Sequence, residues 1–215
     1  MRGIKVLYQL IFAYCIFILC LLLVRFYITS SLQFAFLIWN IFLAFIPFII
    51  SRYLFLYAKQ DGKKYFILSG IGIWLLFFPN ALYIVTDLVH LQNINEVPKW
   101  FDIILLFSAS ILGLLLAFSS LYIIEMILKK YVDTKYIQLS VFTILFISSF
   151  GVYLGRFLRW NSWNIINKPF TLFQDIGERF LLPHEHIQTW GITTFLSILF
   201  YLLYFTIQKL SGFFK

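Results

Sequence analysis

Two stretches hold most of the side chains that could do chemistry. In the first, Asn80, Tyr83, Asp87 and His90 follow one another at steps of three, four and three; in the second, Arg156, Arg159, Trp160, Asn161, Trp163 and Asn164 fall close together. The first set offers an amide, a phenol, a carboxylate and an imidazole. If the chain is helical there, these steps place all four on one face. Imidazole titrates near neutrality, so His90, oriented by Asp87, could take a proton from a hydroxyl. The second set offers two guanidinium forks, each suited to a phosphate or carboxylate, flanked by indole rings that fix depth at a lipid surface. His90 and Asp87 are therefore the catalytic candidates. Asn80, Tyr83, Asp102, Arg156, Arg159, Trp160, Asn161, Trp163 and Asn164 are the candidates for holding a substrate. Plainer uses stand beside these: a packing face for the first set, lipid anchoring or ion pairs to Asp87 or Asp102 for the second. Asp102 also suits the first turn of a helix, where negative charge is favoured.

These polar residues close runs that are otherwise apolar. The chain has 215 residues, 62% hydrophobic, 21% aromatic and 12% charged, about half the charged share of an ordinary soluble domain. Its solvent is lipid. Six apolar runs, at about 6–24, 32–50, 65–86, 101–128, 136–158 and 190–208, are each long enough to cross a hydrocarbon core of roughly 30 Å. The expected fold is all-α, a single domain over 1–215 forming a polytopic bundle of six transmembrane helices. The first run follows Arg2 and Lys5 as a signal peptide would, but it is long, and Arg25-Phe26-Tyr27 provides no small-residue cleavage site; it is read as an uncleaved span. Eleven Lys and Arg residues fall in the N-terminus, the second and fourth connections and the C-terminus, against six in the other connections. The positive-inside rule then puts both termini in the cytoplasm and the polar cluster outside.

Pro79 cannot donate its backbone hydrogen bond, so a kink or break is expected near the outer end of the third span, with Asn80 meeting part of the exposed backbone. Thr171 and Gln174 suggest a capping box, and Phe170, Phe173, Phe180 and Leu181 an apolar face, so a short interfacial helix is expected near 170–182. Thr189 is the expected cap of the last span. Ser108, Ser110, Gly113, Ser119 and Ser120 permit close helix contact in the fourth span, and Glu125 can pair with Lys129 at i,i+4.

Other chemistries lack their residues. His184-Glu185-His186 is short of the second histidine of a HExxH motif, because position 188 is Gln; these side chains could reach His90 and Asp87 only through the fold, and no metal or cofactor is assigned. Cys15 and Cys20 lie inside the first run and read as small apolar fillers. The net charge of +8 is distributed as topology markers rather than as a basic face, and no glycine-rich phosphate loop is present, so nucleic acid is not an expected partner.

The phrases WLLFFPNALYIVTDLVHL, KWFD and YLGRFLRWNSWN, set between six apolar runs, resemble the bacterial membrane family catalogued as domain-of-unknown-function family 1361, over about residues 35–210. The resemblance implies a multi-pass protein of a bacterial cytoplasmic membrane and brings no activity or cofactor with it. The residues themselves point to an outer-leaflet membrane enzyme or lipid-headgroup-binding protein, with membrane lipids, phosphate-bearing ones among them, as partners. A small transporter or lipid translocator is a second expectation, resting on the broken third span and on Asn40 in mid-span. A structural or assembly subunit of an envelope complex is the third.

Overall fold

A computed structural model describes residues 2–93 and 97–213. Lys215, one of the topology markers, lies outside the described residues. Among those described there are eight α-helices, one 310 segment and no strand: α1 (Arg2–Thr29), α2 (Phe36–Lys59), α3 (Lys64–Tyr83), the 310 segment (Ile84–Asn93), α4 (Lys99–Leu128), α5 (Thr134–Phe157), α6 (Asn164–Asn167), α7 (Pro169–Leu181) and α8 (Ile187–Phe213). Six of them, α1 to α5 and α8, are long and apolar enough to cross a membrane, and the chain is a multi-pass membrane protein. All six were expected, although α1 and α8 run several residues beyond the apolar stretches that announce them, and α2, expected at 32–50, starts at Phe36 and continues to Lys59. Polar residues at a span's end can stay helical because every backbone group is then bonded within the segment.

The centre of the bundle is α4, with 67% of its span buried. It packs against α1, α2 and α3, while α5 joins α3 to α8. Small residues permit this: a Cβ on Gly113 would stand 2.8 Å from the carbonyl oxygen of Ala81, so the end of α3 lies directly on α4. At mid-bundle Trp74 Nε1 donates to Ser120 Oγ at 2.6 Å, and that hydroxyl donates on to the Pro47 carbonyl at 3.3 Å, tying α2, α3 and α4 through groups that lipid could not satisfy. At the end holding the N-terminus of α1, Glu125 pairs with Lys129 at 2.7 Å as its spacing predicts. It also accepts from Tyr204 at 2.5 Å and Gln208 at 2.6 Å, which fastens α8 to α4.

Three local expectations change. Helix α3 runs through Pro79 to Tyr83, and the departure from α-geometry comes after it, as a switch to 310. Helix α7 sits where an interfacial helix was expected but begins at Pro169, with no side-chain cap. Thr171 therefore lies inside its first turn, and Pro169, whose missing N–H costs nothing at a helix start, is the initiator. Helix α8 begins at Ile187, so Thr189 is a buried member of the helix rather than its cap.

Candidate functional site

The sequence of α5 carries Gly151 and Gly155 one turn apart. A Cβ on Gly151 would stand 2.8 Å from Pro79 Cγ, and one on Gly155 would stand 3.4 Å from the Tyr83 ring. Small residues at this spacing let two helices approach closely, and here they bring the end of α5 against the end of α3. Arg156, the next residue, is thereby laid over Tyr83, its Cζ 4.1 Å from the ring centroid.

From that position the guanidinium reaches three residues of the 310 segment. Nε donates to Thr86 Oγ1 at 2.8 Å, Nη2 donates to Asp87 Oδ1, and Nη1 faces His90 Nε2 at 3.2 Å. A guanidinium can only donate, so Nε2 must supply the lone pair and the neutral ring carries its proton on Nδ1. The other Asp87 oxygen accepts from Asn40 Nδ2 of α2 at 2.8 Å. The Asp87 side chain is 1% exposed and that of Arg156 13%, so the pair is desolvated and closed. Asp87 and His90 are linked through Arg156; the expected direct orientation of the imidazole by the carboxylate is replaced by a shared guanidinium.

The 310 geometry explains how one side chain gathers so many partners. Residues three apart eclipse one another in a 310 helix, which keeps Asp87 and His90 on the same side, with Thr86 beside them. A 310 run of ten residues is long for this geometry and is supported from outside: Ser110 Oγ reaches the Ile84 carbonyl at 3.4 Å, and Gly113 leaves room for the Ile84 side chain.

Beside this network a cleft of about 700 Å³ opens between α2, α3 and α5. Its depth is apolar, with Leu43, Ile73, Leu76, Ile147 and Phe150, while its upper part carries Asn40, Asn80, Tyr83, Trp160, Asn161 and Ser162. Asn80 donates to Ser162 Oγ at 3.1 Å and to the Phe77 carbonyl at 3.0 Å, and Ser162 donates to the Leu76 carbonyl at 3.0 Å. The α5–α6 connection is thus bolted to the Pro79 region. Leu172 and Ile176 of α7 close one side, and Trp160 Nε1 holds α7 there by donating to Asp175 Oδ2 at 2.7 Å.

The two arginines do not form one clamp. Helix α5 ends at Phe157 and Arg159 has φ 58°, so the chain turns away from the helix before Trp160 and Trp163. Arg156 is enclosed. Arg159 is exposed, makes no hydrogen bond or ion pair with another described residue, and lies near enough to Tyr83 for its charge to act on the phenol. Asp102 is taken by neither; Arg25 Nε of α1 donates to it at 3.0 Å, stacks on Phe34 and reaches Gln33. Trp163 packs edge-on against Trp39 at 6.4 Å, and Asn164 accepts the Asn161 N–H at 2.6 Å, shaping the turn into α6. His184 sits beside Glu185 in an exposed position.

Thr86, Ser162, Asp175 and the role of Arg25 escape a reading of the sequence. The glycine pair on α5 was a legible signal of close packing, and Asn40, read only as part of a transit path, is a polar intruder in a span whose partner had to be elsewhere in the bundle.

A family model described as "Protein of unknown function (DUF1361)" matches residues 39–203. That is well over half of the chain, and the chain belongs to this family. No curated protein and no solved structure matches.

Proposed function

We propose that this member of the DUF1361 family binds one anionic lipid, with an acyl chain in the cleft between α2, α3 and α5 and a phosphate-bearing headgroup at Arg159. The observation that carries the reading is the cleft itself, apolar in depth and amide- and phenol-lined above, with the exposed Arg159 next in sequence to its lining residue Trp160. Hydrocarbon is as comfortable in the bilayer as in the cleft, so selectivity would come from the polar contacts and from fit. Asn80, Tyr83, Trp160 and Asn161 would meet the glycerol and phosphate oxygens. Asp87, His90, Arg156 and Asn40 would form the rigid wall behind them. Arg159 keeps a left-handed backbone that a side chain larger than Asn adopts at a cost of about 1 kcal/mol, and such strain is kept where a group is needed.

Binding is favoured over catalysis because the Nε2 lone pair of His90 is engaged by Arg156, and proton abstraction there would require the network to open. The distribution of Lys and Arg argues for cytoplasmic termini, which would set the cleft's polar mouth at the outer face of a bacterial cytoplasmic membrane.

The test uses purified protein exchanged into nanodiscs and released in a native mass spectrometer. A Cβ on Gly72 meets nothing within 4 Å, and Gly72 lines the cleft, so Gly72→Leu fills the lipid's space without disturbing the bundle. The parent should retain one phosphatidylglycerol in preference to phosphatidylcholine at this site. Gly72→Leu should lose it, and Arg159→Gln should lose the preference. Equal retention by all three proteins would defeat the proposal.

A further inference from the structure

A second cleft, of about 660 Å³, lies at the opposite end of the bundle, walled by α1 and α8 and floored by α2 and α4. Its lining is mainly apolar, with Leu7, Leu114, Phe118 and Leu203 among it beside a few neutral polar groups such as Ser119 and Gln208, and its one cationic member among the described residues is Arg52. Arg52 is half-buried and has no acceptor among the described residues. Although it lies just past the apolar run at 32–50, it precedes Lys59, the last residue of α2, by seven positions, which sets it about 10 Å before the end of the helix, with only apolar and tyrosine side chains between. A cation at that depth needs a counter-charge or water. Glu125, on α4 between the lining residues Ile123 and Met126, is occupied by Lys129, Tyr204 and Gln208, so its charge is balanced and it does not oppose an incoming anion.

We propose that this second cleft holds an anionic phospholipid of the other leaflet, its chains on the α4 floor and its phosphate on Arg52. The charge decides the occupant. A neighbouring helix would fill the apolar floor but leave the guanidinium in hydrocarbon, whereas a lipid phosphate brings the missing charge and lies at the level that an arginine of α2 can reach by extending along the helix. The site is independent of the first: it shares no lining residue with the cleft at α5, and its arginine lies at the other end of the bundle.

The protein is reconstituted in nanodiscs of phosphatidylcholine and phosphatidylglycerol in equal parts, and retained lipids are counted by native mass spectrometry. To silence the first site every sample carries both Gly72→Leu, which fills that cleft, and Arg159→Gln, which removes its charge. With Arg52 intact, one phosphatidylglycerol should stay bound in preference to phosphatidylcholine. Arg52→Gln should weaken that retention about tenfold, the effect of losing one charge-assisted contact, and Arg52→Lys should restore part of it. Leu114→Trp, which fills the floor, should expel the lipid with the charge still present. Undiminished phosphatidylglycerol binding in Arg52→Gln, no preference in the Arg52 protein, or a two-chain species that carries no lipid would each overturn the proposal.

Discussion

Replacing Arg156 by Met while leaving Asp87 in place should be among the most damaging single changes in this bundle. The carboxyl group would keep one hydrogen bond, from Asn40 at 2.8 Å, and at 1% exposure would be left without its counter-charge; breaking a buried pair in this way costs about 3–5 kcal/mol. Asp87→Leu strands the guanidinium instead, but Arg156 is partly exposed and keeps Thr86, His90 and the Tyr83 ring, so its loss should fall at or below the lower end of that range. Changing both together removes both charges. The double variant should then be no worse than the milder single one, which gives a coupling energy of roughly 3 kcal/mol or more between sites in direct contact. The assay is equilibrium unfolding in mixed micelles titrated with dodecyl sulfate and followed by tryptophan fluorescence. If the double variant loses the sum of the two singles, the carboxylate and guanidinium are not sharing a desolvated pair, and the account of the site's wall fails.

Gly151→Leu should destabilise the bundle by about 1–3 kcal/mol, an overpacking penalty, because its Cβ would meet Pro79 at 2.8 Å; Gly72→Leu should leave the same unfolding curve unmoved. Arg159→Gly should hold or raise stability by up to about 1 kcal/mol through relief of the positive φ, while phosphatidylglycerol retention falls, so that stability and binding move in opposite directions. Trp160→Phe deletes the bond to Asp175 and should raise amide hydrogen exchange across Pro169–Leu181 with little change in α3 or α4. Arg25→Met should cost about 3–5 kcal/mol by leaving Asp102 buried without its cation, and limited proteolysis should then cut near Thr29 first.

Six spans could be read from the chain because crossing a bilayer is a demand on every consecutive residue, and a soluble fold has little use for twenty apolar positions in a row. The residues with polar side chains at one end could be read for a related reason, since each is costly near hydrocarbon and so stands out. Their pairing was beyond reach. Arg25 carries the same local signature as a topology marker and as the mate of Asp102, and nothing within a few residues of Asn40 points to Asp87. The glycines at 151 and 155 decide which ends meet, but their effect depends on finding Pro79 and Tyr83 opposite them. The change from α to 310 after Tyr83 was hidden as well, because Pro79 advertises a fault four residues before the one that occurs, and the support for it comes from α4. Helix α7 could be read as amphipathic; its start could not be read from Thr171, since a proline two residues earlier competes for the same role.

The contact between Arg25 and Asp102 sets an order of events during synthesis. The acid is translated 77 positions after the base, and at about 5–20 residues per second the leading helix waits roughly 4–15 s for the group that will neutralise it. Through that interval its guanidinium must shelter at the water boundary or against the insertion machinery. Helix α1, made before the other five spans, can therefore take its final seat only after the start of α4 has followed it.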